Sequence, residues 1–272
     1  MVLCRTENPM PNLRRNHHYI PECYQRGFAD ATGRVWVKLA SKSKLEHRQP
    51  RTVGSLRSFY IRKQNGVETD NVERFFEKID TPFALISQRV RNEGSELGKL
   101  SRQEVSVIRS FVASQAVRTI AHKRCVEEQA GCKVDSGLFV SVMLRMLKML
   151  FEAWRSKPPG LDFCTPLPLV GEQFITGDSP VAIVRMIDNP VVTLTAMETL
   201  QITRLEELLR APGYSFRIAL SPYVMVSVHD KNGAHLGLPP RRIEPSEVRL
   251  FNKLIRDQSK VFTLARDADK LA

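Results

Sequence analysis

A change in residue pattern at Pro158, Pro159 and Gly160 constrains the fold of this chain more than any other feature. Before it, apolar residues recur every three or four positions; after it, short apolar runs alternate with turn residues. Proline and glycine in succession end a helix. The pattern predicts an α+β protein whose helical N-terminal half packs on a mainly antiparallel β-sheet C-terminal half. We interpret residues 1–272 as a single composite domain with a helical lobe at 1–157 and a sheet-rich lobe at 161–272.

The helical half contains three predicted helices. Asp70 with Glu73 resembles a capping box before a helix at 71–92, and Ser101 with Glu104 opens a second helix that we extend to about residue 130. The third, at 135–155, is apolar around most of its circumference, which favours a place in the core. Its segment 138–154 is the candidate surface for a homo-oligomer or a protein partner. Further predicted elements are strands at 34–38, 58–62, 173–176, 181–184, 216–220, 223–228 and 260–264, and helices at 196–209 and 245–257.

The chain is strongly basic, with a formal net charge of +12 and a pI near 9.7. This favours a polyanionic partner, with nucleic acid first and an anionic membrane surface second. The longest apolar run, 138–151, is too short and too often interrupted by charge to span a bilayer. No signal-peptide pattern precedes it, so we expect a cytoplasmic protein. Five scattered cysteines without a C-x-x-C pair indicate neither a disulfide framework nor a zinc knuckle.

The stretch 16–30 is the densest group of chemically capable residues in the sequence. It contains the adjacent His17 and His18, followed by Tyr19 and Arg26. Imidazole and phenol groups need polar partners when they are buried, so packing alone explains this composition poorly. An alternative is that one histidine packs against a sheet and the other bonds a backbone carbonyl. The preceding Arg14 and Arg15 form a basic arm and, with Arg26, are candidates for phosphate binding.

Two residues outside this stretch are further candidates. Arg118 offers a planar fork suited to phosphate or carboxylate, and it either lines a cleft or pairs structurally with an acidic side chain. Asp178 lies in a Gly-Asp-Ser-Pro turn. It either caps its own turn or delivers a carboxylate to the histidines.

The letters His-His-Tyr-Ile-Pro at 17–21 resemble the opening of the HNH, or ββα-metal, nuclease signature. The resemblance implies that His17 holds a divalent metal, Mg or Zn, and that His18 is the general base. It covers only these five residues, and the downstream Asn of the signature is missing.

A wider resemblance spans nearly the whole chain. The chain is similar to an uncharacterised domain-of-unknown-function family with a His-His-Tyr-Val-Pro signature. The similarity rests on an ordered series of motifs: H-H-Y-I-P, F-Y, an acidic helix, Q-x-x-R-T, F-I-T-x-D-x-P-V and L-S-P. The resemblance implies a bacterial or phage source and a shared site, without naming a reaction. The matching positions include His17, Tyr60, Glu73, Gln115, Arg118, Asp178 and Asn252.

Taken together, these features lead to a metal-dependent nuclease or phosphodiesterase hypothesis, in the setting of a bacterial or phage conflict system. His18, Tyr19 and Arg118 form the candidate catalytic set, and His17 with Asp178 would bind the metal. Arg14, Arg15 and Arg26 would bind the nucleic acid. The alternative is a non-catalytic basic nucleic-acid-binding or regulatory protein.

Overall fold

The computed structural model describes residues 13–64, 67–92, 99–167, 171–186, 191–193, 205–207, 209, 213–232 and 240–271. Its first part consists of short strands around one helical turn. β1 (Asn16–His18) pairs antiparallel with β4 (Ser55–Arg57), and between them lie α1 (Glu22–Gln25), β2 (Val35–Leu39) and β3 (Leu45–Arg48). β5 (Arg62–Gln64) and β6 (Val67–Thr69) form a separate hairpin.

The longer helices follow. They are α2 (Asn71–Asn92), α3 (Arg102–Val117), α4 (Ile120–Ala130) and α5 (Ser136–Ser156), and α6 (Pro245–Gln258) lies near the end of the chain. The predicted capping box of α3 is confirmed, because the Ser101 side chain accepts from the Glu104 amide while the Glu104 carboxylate accepts from the Ser101 amide.

The prediction of one helix from 101 to about 130 is wrong. Arg118 leaves the helical conformation and Thr119 is extended, so the chain turns between α3 and α4. The Thr119 hydroxyl accepts from the His122 amide at 3.1 Å and caps the new helix. The break places Arg118 at the end of α3, where its side chain points back toward α2.

The second half of the chain is organised around a six-stranded sheet with the order β10-β9-β11-β12-β7-β13. Neighbouring strands are antiparallel except β13 and β7, which are parallel. The strands are β7 (Pro159–Pro166), β9 (Val181–Met186), β10 (Val191–Thr193), β11 (Tyr214–Ser221), β12 (Val224–Asn232) and β13 (Arg241–Ile243). β7 begins at Pro159, so the predicted break at 158–160 leads directly into the sheet.

A four-stranded sheet, β3-β2-β14-β8, combines the two ends of the chain. Its C-terminal members are β8 (Thr176–Gly177) and β14 (Phe262–Ala265), and β14 pairs antiparallel with β2. The mixed α+β class is therefore confirmed, but the division into a helical first half and a sheet-rich second half is not clearly drawn, because strands also occur throughout 16–69. The lobe boundaries at 157 and 161 stay a prediction.

Several local predictions change in the structure. The strand predicted at 58–62 is interrupted because Ser58 has a left-handed φ of 57°, and strand structure resumes only at Arg62. Residues 173–175 do not join a sheet; the Phe174 amide donates to the Pro222 carbonyl and the Ile175 amide to Asn252 Oδ1. The helix predicted at 196–209 lies mostly outside the described residues.

Helix α5 contributes its most apolar side to the core, as predicted. Phe139, Val140, Met143, Met146 and Leu150 are all completely buried, whereas Leu138 at its start is 51% exposed. Trp154 meets Phe216 of β11 edge to face, which fixes the end of α5 on the six-stranded sheet. Within the part of the chain that the structure describes, no helix combines the length and the apolarity needed to cross a bilayer.

Candidate functional site

His17 is completely buried, and both of its ring nitrogens are bonded to backbone. Nδ1 accepts from the Tyr60 amide at 2.8 Å, so Nε2 carries the hydrogen and donates to the Arg14 carbonyl at 2.7 Å. The ring stacks on Tyr60, with 5.5 Å between centroids. Burial lowers the pKa of His17, which keeps the ring neutral. In this geometry neither nitrogen has a lone pair for a metal, so the predicted ligand role does not fit.

His18 points to the opposite side of the same strand and is half-buried. Its Nε2 lies 3.2 Å from the Arg51 carbonyl, which accepts from Nε2–H in the corresponding tautomer. Nδ1 then keeps its lone pair, and no hydrogen bond joins it to another described residue. His18 therefore has the arrangement that a general base requires: one nitrogen oriented by a carbonyl and the other free to accept a proton.

Tyr19 packs in the core beside Phe59 and is 2% exposed. Burial raises the pKa of Tyr19 far above its ordinary value, and the negative charge of Asp178 raises it further. A phenol with so high a pKa stays protonated near neutral pH, so the structure gives no support to a catalytic role as a base or nucleophile. It does bring Tyr19 and Asp178 close enough for their charges to interact, which the sequence order alone does not require.

Asp178 is completely buried and holds the start of β14 in place. Its carboxylate accepts from three consecutive backbone amides, those of Lys260, Val261 and Phe262, at 3.1–3.2 Å. Burial raises the pKa of Asp178, and these amide hydrogen bonds oppose the rise. The carboxylate therefore caps a loop, although the loop belongs to a distant part of the chain and not to its own turn.

The two predicted metal ligands thus have other partners. No group of three or more His, Cys, Asp or Glu side chains in metal-binding geometry occurs among the described residues. Zn²⁺ sites use three or four protein ligands, whereas Mg²⁺ is often held by one or two carboxylates. As they are bonded here, His17 and Asp178 do not fit the metal-ligand roles that the HNH resemblance implies.

Arg118 is completely buried at the junction of α3 and α4. Its guanidinium donates to both carboxylate oxygens of Asp80, with Nη1–Oδ2 at 2.9 Å and Nη2–Oδ1 at 2.6 Å. It also lies over the Phe76 ring, 4.6 Å from the centroid. The Gln115 amide, turned so that its oxygen faces Arg118, accepts from Nε and Nη2. This is the structural alternative considered for Arg118, since its fork is occupied.

The Arg118 pair adjoins two polar groups with incomplete hydrogen bonding. The Tyr60 hydroxyl is buried, and neither it nor Glu73 Oε2 has a hydrogen-bond partner among the described residues. Burial raises the pKa of Glu73 to about 7, with Arg118 opposing the rise and Asp80 adding to it. The sequence marked Glu73 as part of a capping box with Asp70, and both Glu73 and Tyr60 as family positions; their electrostatic interaction with Arg118 depends on the packing of α2 against α3.

The three arginines predicted to bind phosphate are exposed, but each has an acidic partner. Arg14 pairs with Glu77, Arg15 with Glu68, and Arg26 with Glu22 one helical turn away. Ion pairs at the surface are weak, about 0–1 kcal/mol, and exchange readily for other anions. These contacts reduce the local positive charge without preventing phosphate binding.

A cleft of about 470 Å³ lies between the turn that follows α1 and the residues that follow β3. Arg26 and Arg51 line it together with Glu22, Gln49 and Pro50, and the Arg51 carbonyl is the group that orients His18. Arg51 was seen in the sequence only as part of a basic loop. Its link to His18 depends on the pairing of β1 with β4, which brings residues 16–18 beside 55–57.

The residues of the N-terminal signature lie in one contiguous unit formed by β1, β4 and α1–α3. This unit contains His17, Tyr60, Glu73 and Arg118. Comparison with family models identifies the same unit. Residues 16–139 match the family described as Protein of unknown function (DUF4238). The expected resemblance to a family of unknown function is thereby confirmed over the DUF4238 segment. No curated protein and no solved structure matches the chain.

Proposed function

We propose that the protein binds nucleic acid through the basic segment, residues 13–64. This segment has twelve Lys and Arg residues against three Asp and Glu residues, a net charge of +9 out of +12 for the whole chain. A single observation carries the proposal: most of the net positive charge is concentrated in about one fifth of the chain. Such concentration favours the backbone of a polyanion, because each neutralised phosphate releases counterions.

The arrangement of partners within the basic segment supports the same conclusion. Its three acids are already engaged: Glu22 with Arg26, Asp30 with His47, and Glu46 with Lys42 and Arg48. Several exposed cations have no acidic partner among the described residues; they are Lys44, Arg51, Arg57 and Lys63. Their positive charge is available to a ligand.

The test is a salt titration of binding to labelled DNA and RNA oligonucleotides, single- and double-stranded, measured by fluorescence anisotropy. We expect log Kd to rise linearly with log salt, and Arg51→Ala and Arg57→Ala each to reduce the slope by about 1. Arg102→Ala, an exposed arginine at the start of α3, is the matched control and should leave the slope unchanged. Failure to retain any of these oligonucleotides at moderate salt would overturn the proposal.

A second candidate function is hydrolysis of a phosphodiester at the cleft that Arg51 lines, with His18 held by the Arg51 carbonyl. The observation that favours it is the orientation of His18 by the Arg51 carbonyl, which leaves Nδ1 able to accept a proton from an attacking water. Arg51 and Arg26 would stabilise the charge that develops on the phosphate.

Cleavage of the same oligonucleotides should be assayed with Mg²⁺, with Zn²⁺ and with EDTA. Activity lost in His18→Ala but retained in Arg102→Ala supports hydrolysis. Binding without cleavage under all three conditions leaves the protein as a binder of nucleic acid only.

A further inference from the structure

The six-stranded sheet has one apolar and one polar face. Because side chains alternate along a strand, the strand register assigns each residue to a face. The apolar face contains Phe216, Ile218, Val226, Val228 and Phe163, and it receives Trp154 from α5. On the other face, Arg217 of β11 is opposite Ser227 of β12, Ser215 is opposite His229, and Ser227 is opposite Asp162 of β7. We call Asp162, Ser215, Arg217, Ser227 and His229 the polar face.

Part of the polar face is shielded from water although it consists of polar groups. Ser215 and Ser227 are 4% and 8% exposed and the His229 side chain is 12% exposed, whereas Arg217 is half-buried and the Asp162 side chain is 35% exposed. Polar groups in such a setting are costly unless they have hydrogen-bond partners. His229 and Asp162 satisfy each other in part, with Nε2 and Oδ2 3.0 Å apart.

Arg217 is the residue for which the protein supplies too few partners. Its Nε donates to Ser215 Oγ at 3.3 Å, and among the described residues its two terminal nitrogens have no acceptor. The Glu247 carboxylate is bonded at both oxygens by Arg241. Burial lowers the pKa of Arg217 and the Arg241 charge adds to this effect, while Cys164 and Glu247 oppose it. A guanidinium in these surroundings is strongly stabilised by an external anion.

We propose that the polar face binds a phosphate group, held by the fork of Arg217 and by the hydroxyls of Ser215 and Ser227. The terminal nitrogens of Arg217 offer two parallel donors, which match two oxygens of a phosphate. The serine hydroxyls lie on the same face, on Arg217's own strand and on the adjacent one, and supply donors for further oxygens. A phosphate monoester is the ligand class that uses all of these donors. The site is separate from the basic segment and does not depend on the nucleic-acid proposal.

The experiment titrates the full chain with inorganic phosphate, with a nucleoside monophosphate and with the corresponding nucleoside, followed by calorimetry and by thermal shift. Saturable binding of phosphate and of the monophosphate, but not of the nucleoside, is expected. Arg217→Gln should weaken the affinity by about tenfold or more, since it removes the charged fork. Arg102→Ala should bind like the wild type.

Two outcomes overturn the proposal: no saturable phosphate binding in the millimolar range, or equal phosphate affinity in Arg217→Gln and wild type. Should Arg217→Gln fail to fold, Ser215→Ala with phosphorus-31 line broadening provides the second measurement. Loss of phosphate binding in that variant supports the site, and unchanged broadening contradicts it. Oligonucleotide binding measured on the same variants tells the two sites apart, because Arg217→Gln should leave its salt slope unchanged.

Discussion

The guanidinium of Arg118 and the carboxylate of Asp80 form two parallel hydrogen bonds, at 2.9 and 2.6 Å, that join the end of α3 to the middle of α2. The arginine is completely buried and the aspartate side chain is 21% exposed. This ion pair connects two helices of residues 16–139, the segment that matches DUF4238. The charges of Arg118 and Asp80 act on Glu73, whose pKa is raised, and on the buried Tyr60 hydroxyl. Five predictions follow from these and other contacts.

Removal of the Asp80 charge should be strongly destabilising. Asp80→Asn leaves Arg118 buried without a full counter-charge, and breaking a buried pair from one side costs about 3–5 kcal/mol. The measurement is the free energy of unfolding in urea. Glu22→Gln, which breaks the exposed pair with Arg26, is the matched control and should cost less than about 1 kcal/mol. Similar losses in both variants would contradict the buried-pair account.

Glu73 should make the protein less stable as pH rises. Its pKa is about 7 in the folded state against an ordinary 4.5, so the folded state holds a proton that the unfolded state releases between these values. The stabilising contribution is complete below pH 4.5 and is lost as pH rises through 7, by roughly 1–3 kcal/mol. Because His122 titrates in the same window with the opposite sign, the quantity to measure is the difference in unfolding free energy between Glu73→Gln and wild type, which should change by this amount from pH 4.5 to 8 in urea unfolding. An unchanged curve would show that Glu73 does not titrate in this way.

His122 should act in the opposite direction. It is completely buried, Nδ1 contacts the Val117 carbonyl, and burial lowers the pKa of His122 to about 4 from an ordinary 6.5. Between about pH 4 and 6.5, the unfolded state therefore binds a proton at His122 that the folded state does not bind. The stability contribution is present above pH 6.5 and is lost as pH falls through 4, by about 3 kcal/mol. His122→Gln should remove this acid sensitivity while Glu73→Gln preserves it, as measured by unfolding between pH 4 and 7.

Gly27 should not tolerate a side chain. A Cβ at this position would lie 2.3 Å from the carbonyl oxygen of Leu220, where the helical turn after α1 approaches β11. Backbone must move to relieve this contact, so Gly27→Ala should lower the free energy of unfolding by about 1–3 kcal/mol. Arg26→Ala, the exposed neighbour, should change it little. Equal unfolding midpoints for the two variants would mean that the approach is looser than the structure indicates.

Substitutions at Asp178 and at His18 should differ in their effect on the free energy of unfolding. Asp178→Ala leaves three backbone amides without acceptors and should destabilise the protein by about 1–3 kcal/mol or more. His18→Ala removes only one partly exposed contact and should leave the unfolding free energy within about 1 kcal/mol of wild type. Thermal and urea unfolding of both variants is the test. A folded, fully stable Asp178→Ala would favour a ligand-binding role for that carboxylate.

Local sequence signals predicted those elements that local physics controls. The capping box at Ser101 and Glu104, the helix of 135–155 and the strand around Val35 and Val37 appear where the pattern placed them, because capping, periodicity and alternation act over a few residues. The break at Arg118 and Thr119 was missed. A helical period continues across it, and only the pairing of Arg118 with α2 and the Thr119 cap favour two helices over one.

The same holds for the candidate site, where local features were predicted and contacts between distant elements were not. The adjacent histidines were recognised from their composition, but their different environments come from β1, which turns His17 toward Tyr60 and His18 toward the Arg51 carbonyl. Arg217 lies within the predicted strand 216–220, and no functional role was predicted for it. The available signal was that Ser215 and Arg217 are two positions apart, which places both on the same face of a strand.

The sequence by itself determined that this protein is basic in its N-terminal quarter, has mixed α and β elements, and resembles a family of unknown function, DUF4238, over residues 16–139. Only the tertiary structure decided that Arg118 is committed to Asp80, that Asp178 holds a distant loop, and that Arg217 has no carboxylate partner among the described residues. The physical reason is that charge and periodicity are properties of neighbouring residues, whereas the partner of a buried polar group is set by whichever distant element packs against it.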